Sequence, residues 1–173
     1  MNMPRIAATT VILVIAGAMM SGCAAGATSA PTRVPVPDVA STGESAIACV
    51  ELHDALPGWS VDPTLSPGPG TPSEAAVRAG GTGCVLTKGD THLLIGVAHP
   101  DETSASALQD YFRSNGLISE KALGDTAYFD PSTGDAEIFD HGRWITVVSD
   151  SFASPADAEA VIAAIEGVVS AHD

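Results

Sequence analysis

Cations are scarce in this chain: seven Lys and Arg stand against 21 Asp and Glu, a formal charge of −14 at pH 7. Beyond Arg5 the basic side chains are scattered singly, at Arg33, Arg78, Lys88, Arg113, Lys121 and Arg143, and form no patch. Such a surface repels phosphate backbones and anionic headgroups, which excludes nucleic acid as a partner. No apolar run reaches the ~20 residues that a membrane-spanning helix needs. Signatures of phosphate cradles (GxxxxGK[ST], GxGxxG), of serine hydrolases (GxSxG) and of penicilloyl-type enzymes (SxxK) are all missing. His53, His92, His99, His141 and His172 make no HxH, HxxxH or HExxH spacing, so neither a metal nor a cofactor is expected. Asp125, Asp130, Asp135 and Asp140 recur, but DPSTGDAE does not space oxygen ligands as a calcium loop does; turn capping explains them better.

What is present at the N-terminus is an address. Met1–Arg5 carries positive charge, and Ile6–Met20 is apolar apart from Thr9 and Thr10. That length suits the h-region of a secretory signal, with small residues following at a cleavage site. Residues 1–22 are therefore expected to be a lipoprotein signal peptide, and Cys23, at the end of Met20-Ser21-Gly22-Cys23, the lipidation site. Two or more acyl chains, at ~0.8 kcal/mol per buried CH₂, anchor a protein stably to a bilayer. Losing residues 1–22 removes Arg5 and no acid, so the mature chain is still more anionic.

Residues 23–43, AAGATSAPTRVPVPDVASTG after Cys23, show no periodic apolar face and carry Pro31, Pro35 and Pro37. They are expected to form a disordered, extended tether. Residues 44–173 are expected to be the extracytoplasmic domain. Ser41–Glu44 has capping-box spacing before Ala48, Leu52, Ala55 and Leu56. Pro57–Pro72 reads as a long loop, with a helical turn near Ser73–Ala79. Thr82–Lys88 and Thr91–Ala98 flank Gly89-Asp90 as a hairpin. A helix over Ser104–Asn115 is followed by strands at Thr126–Phe129, Ala136–Asp140 and Arg143–Ser149. The last has two apolar faces and should be central. Ser154, Pro155 and Asp157 open a final helix whose stripe is Ala158, Val161, Ile162, Ile165, Val168 and Val169. The expected fold is α+β: an antiparallel sheet of about five strands, three helices packed mainly on one face, and one disulfide.

Cys49 and Cys84 remain after Cys23. In an exported domain they are expected to pair, closing a loop that contains the Pro57–Pro72 stretch. Trp59, in that loop, and Trp144, in the last strand, are the candidates for lining a ligand groove.

The lipobox, the Ala/Pro/Ser/Thr tether, Cys49, Cys84, ALGDTAYFD (Ala122–Asp130) and DHGRWITVVSD (Asp140–Asp150) together resemble small lipoproteins of actinobacterial cell envelopes that carry a domain of unknown function. The resemblance implies an envelope location and supplies no catalytic residues. The expectation is a non-catalytic binding or accessory domain, held at the membrane through Cys23, with an envelope protein, peptide or lipid as partner. The alternative is an enzyme acting on envelope carbohydrate or peptide through paired carboxylates such as Asp125 and Asp130.

Overall fold

The Gly89-Asp90 reversal closes the longest strand pair among the described residues, seven residue pairs running from Thr82↔Val97 to Lys88↔Thr91. The computed structural model describes residues 34–45 and 47–172. Its elements, in chain order, are β1 (Ser41–Gly43), α1 (Cys49–Asp54), β2 (Ser60–Val61), α2 (Pro72–Arg78), β3 (Thr82–Lys88) and β4 (Thr91–Pro100). They continue as α3 (Glu102–Ser114), β5 (Ile118–Ser119), β6 (Ala127–Asp130), β7 (Asp135–Asp140), β8 (Arg143–Ser149) and α4 (Pro155–Ser170). One sheet takes in every strand in the order β2-β3-β4-β8-β7-β6-β5, with β1 beside the end of β4, and each pairing is antiparallel.

The α+β class and the antiparallel sheet agree with the sequence reading, but the counts and the layering do not. Among the described residues there are eight strands rather than about five; β1, β2 and β5 are only two or three residues long and went unread. Strands that short leave no alternation to read. The described residues form four helices rather than three, and these do not share a face. Leu52 of α1 and Ala158, Ile162, Ile165 and Val169 of α4 pack on Leu93, Ile95, Ile145 and Val147. Ala75 and Ala76 of α2, with Leu108 and Phe112 of α3, pack on Ala98 and Trp144 from the other side. The physical cause lies in β4 and β8, whose successive residues are apolar on both sides; a central strand of that kind must be covered twice.

Helix ends follow local chemistry. Thr71 Oγ1 accepts from the Glu74 N–H at 3.2 Å, and Asp101 Oδ1 from the Ser104 N–H at 2.7 Å. At α4 the Asp157 carboxylate accepts from the Ser154 N–H at 2.8 Å, with Pro155 in the first turn, as the sequence indicated. The Ser41–Glu44 capping box does not form, since Ser41–Gly43 is a strand. Glu51 accepts instead from the Ala48 N–H at 2.7 Å and starts a shorter helix.

The domain boundary also moves. The tether was expected to run to Gly43, yet the chain is docked on the domain from Val34 onward. Val36 is buried, the Tyr111 hydroxyl donates to the Val34 carbonyl, and the Asp101 N–H donates to the Ala40 carbonyl at 2.9 Å. The expected signal peptide, Cys23 and the rest of the tether through residue 33 lie outside the described residues.

Candidate functional site

The α2/α3 face of the sheet carries the chemistry, and strand register sets its layout. One row across the sheet is Phe139, Trp144, Ala98; the next is Tyr128, Glu137, Thr146, Gly96, Gly83. Over the first row the aromatics assemble. Phe139 and Trp144 lie stacked, with ring centroids 6.4 Å apart and planes 6° apart, while Phe112 packs on Trp144 at 6.0 Å. Tyr128 meets Phe139 edge-on at 6.3 Å.

Phe139 is the outermost member of this stack and is only half-buried. Beside it, between the N-terminal half of α3 and the β7–β8 turn, opens a groove of about 410 Å³. Pro100, Ala105 and Phe139 give it an apolar lining, and Glu102, Gln109 and His141 stand among its polar residues. The turn itself is built by charge. His141, at φ 48° in the left-handed region, places Nδ1 2.6 Å from the Asp140 carboxylate. Arg143 Nη2 reaches the same carboxylate at 3.1 Å. The His141 hydrogen bond, followed by the Arg143 contacts, holds the Asp140 carboxyl below the usual aspartate range. This turn is therefore a polar lip on an apolar groove.

The second row holds a pair of acids that sequence reasoning missed. Asp135 and Glu137 alternate on β7 so that both face α2 and α3, and both are fully buried. The Trp144 Nε1–H donates to Glu137 Oε2 at 2.5 Å and the Thr146 hydroxyl to Oε1 at 2.9 Å. Burial pushes the Glu137 carboxyl well above its ordinary 4.5; the adjacent Asp135 adds to the rise, partly through a carboxyl–carboxyl hydrogen bond. No cation figures among the groups acting on Glu137. The available sequence signal was acids two apart in DAEIFD, facing one side of a strand. It became meaningful only once register placed Trp144 and Thr146 on the neighbouring strand.

Other expected site residues separate. Trp144 is fully buried on the α2/α3 face, whereas Trp59 is half-buried against the core on the α1/α4 face, so the two do not converge on one groove. Asp125 stands in the turn before β6, and Asp130 is the last residue of that strand. The Asp130 carboxylate is engaged by the Ser132 and Thr133 hydroxyls at 2.6 and 2.9 Å, as a turn cap. The Asp135–Glu137 pair is sealed from solvent, so no polymer chain reaches it. Cys49 and Cys84 do join, Cα to Cα 5.6 Å, fastening α1 to β3. Among the described residues, no group of three or more His, Cys, Asp or Glu is placed to hold a metal ion.

No family model, no curated protein and no solved structure matches this chain.

Proposed function

We propose that this is an extracytoplasmic domain, fastened to the cell membrane by acyl chains on Cys23, that binds an envelope protein, peptide or lipid and performs no chemistry on it. The observation that carries the binding role is the groove beside Phe139. It is open, apolar along Pro100, Ala105 and Phe139, and polar at the β7–β8 lip, the pattern of a site that grips a hydrophobic group and orients it. The fully buried acids, Asp135 and Glu137, lie in the interior instead of this groove. The Cys49–Cys84 bridge supports the compartment, since structural disulfides persist in oxidising surroundings. The lipobox at Met20–Cys23 and the likeness to actinobacterial envelope lipoproteins support the anchor.

Native mass spectrometry of the detergent-extracted chain tests the groove. Wild type should retain a bound species, and Ala105→Trp, which fills the groove from α3, should release it while the melting temperature is kept. An adduct-free mass for both proteins, or the same adduct on both, would count against the groove.

A further inference from the structure

The residues docked ahead of the domain form a ligand-like contact. VPVPDVASTG (Val34–Gly43) has no helix and enters a strand only at Ser41–Gly43. Its anchor is Val36, 4% exposed, which joins the apolar cluster formed by Ala75 of α2, Ala79 just after that helix, Leu108 and Phe112 of α3, and Ala98 of β4. Pro35 and Pro37 bracket that anchor and restrict the backbone to extended conformations, which lowers the entropy lost on docking. The backbone is read at two points along α3: the Tyr111 hydroxyl donates to the Val34 carbonyl, and the Ser104 hydroxyl accepts from the Ala40 N–H at 3.0 Å. Two residues past the anchor, Asp38 meets Arg78 of α2 at 2.6 Å, one of the few cations in an acidic chain. Both partners of that ion pair are exposed, so it contributes selectivity more than strength. The strand part pairs with β4 at just two positions, Ser41↔Pro100 and Gly43↔His99, with a register shift between them.

An aliphatic side chain in an apolar socket, prolines on either side, a Tyr hydroxyl on a backbone carbonyl and a cation for a nearby acid are the elements by which proteins recognise extended proline-rich peptides. We propose that the surface formed by α2, α3 and the end of β4 is a recognition groove for a proline-flanked aliphatic–acidic segment. Residues 34–43 are its resident occupant, exchangeable for a segment of the same chemistry on a partner protein. This goes beyond the groove beside Phe139 and does not depend on the lipid anchor. A tethered occupant has a high effective concentration, so a competitor gains access only when the resident segment is weakened.

The test uses the full chain carrying Val36→Asp, which removes the resident anchor, and a fluorescein-labelled peptide of residues 33–43 followed by anisotropy. The native peptide should bind saturably to this variant and at least tenfold more weakly to wild type, whose groove is occupied. The peptide bearing the same Val36→Asp change should lose at least tenfold, as expected for one buried Val. Arg78→Glu, introduced alongside, should weaken the native peptide, and a peptide with Asp38→Arg should recover binding to that protein. If the Val36→Asp chain does not melt cooperatively, Val36→Ala takes its place, since it loosens the anchor without burying charge. Absence of saturable binding to a folded, anchor-weakened chain, or equal binding of native and Val36→Asp peptides, would overturn the proposal.

Discussion

Removing the Cys49–Cys84 bridge with the double variant Cys49→Ala/Cys84→Ala probes how much of this domain depends on one covalent constraint. The bridge closes a separation of 35 residues that includes the irregular Pro57–Pro72 stretch. Loop-closure entropy in the unfolded chain then assigns it about 4 kcal/mol at 25 °C. Unfolding entropy of roughly 2 cal/mol/K per residue, over a domain of about 140 residues, converts this to a fall in melting temperature of about 14 °C. The structure also says where the loss begins. Helix α1 spans six residues and buries only Leu52 among them, so without the bridge little holds it on β3. Trp59 packs against the same cluster as α1 and reports that detachment. Circular dichroism melts of oxidised protein, dithiothreitol-reduced protein and the double variant, with Trp59 emission recorded in a Trp144→Phe background, measure both effects. Reduced protein and double variant should melt together, well below the oxidised form, with Trp59 emission shifted to the red before the main transition. A double variant melting within about 3 °C of the oxidised protein would refute the entropic argument.

Two further predictions concern the α2/α3 face. Glu137 has its folded-state pKa raised above its ordinary 4.5, so the folded chain binds that proton more tightly than the unfolded one. Its contribution is therefore most favourable below 4.5 and is lost as pH rises through the folded value. Asp101 and Asp157, lowered mainly by hydrogen bonds from Ser104 and Ser154 respectively, act oppositely and lose their contribution as pH falls below 3.8. Thermal stability should thus peak in mild acid. Glu137→Gln, which keeps an acceptor for the Trp144 N–H and can donate to the Thr146 hydroxyl, should flatten the decline toward neutral pH. Parallel declines in wild type and variant would show that Glu137 is not its source. At Gly96, a Cβ would lie 2.5 Å from Thr146 Cγ2 and 2.8 Å from Ser73 Cα, so Gly96→Ala must push α2 off the sheet. Chemical denaturation should register a loss of about 1–3 kcal/mol, and no loss would mean that α2 sits more loosely than described.

Much of the fold was legible because local chemistry and tertiary packing agree. The β3–β4 hairpin, β7, β8 and the start of α4 stand within two residues of where alternation, Gly89-Asp90 and the Ser154–Asp157 box placed them. The apolar character of both sides of β8 signalled a central strand, and it occupies the middle of the sheet order. The same property calls for cover on both sides, against the expected single helical face; α2 was read only as a helical turn near Ser73–Ala79 because its buried face includes Ser73, Ala75 and Ala76, small residues that carry little hydrophobic periodicity. Ser41–Glu44 misled because a capping pattern competes with strand pairing, and the partner on β4 lies 56 or more residues away. Residues 34–43 looked unstructured since their docking rests on a single buried Val36 and on contacts with distant α2 and α3. The groove beside Phe139 and the Asp135–Glu137 pair depend on register and on the path of α3, neither of which any short window of sequence encodes. Trp144 was picked out as a ligand contact, yet its indole N–H is engaged by Glu137 in the interior.

Mass analysis of the N-terminal peptide, taken from the membrane fraction of cells making the full chain, tests the envelope assignment most directly. The account predicts a peptide that begins at Cys23, carries acyl chains on its sulfur, and comes from protein whose Cys49 and Cys84 are joined. A soluble product that retains Met1, with an unmodified thiol at Cys23 and free thiols at the other two positions, would contradict it.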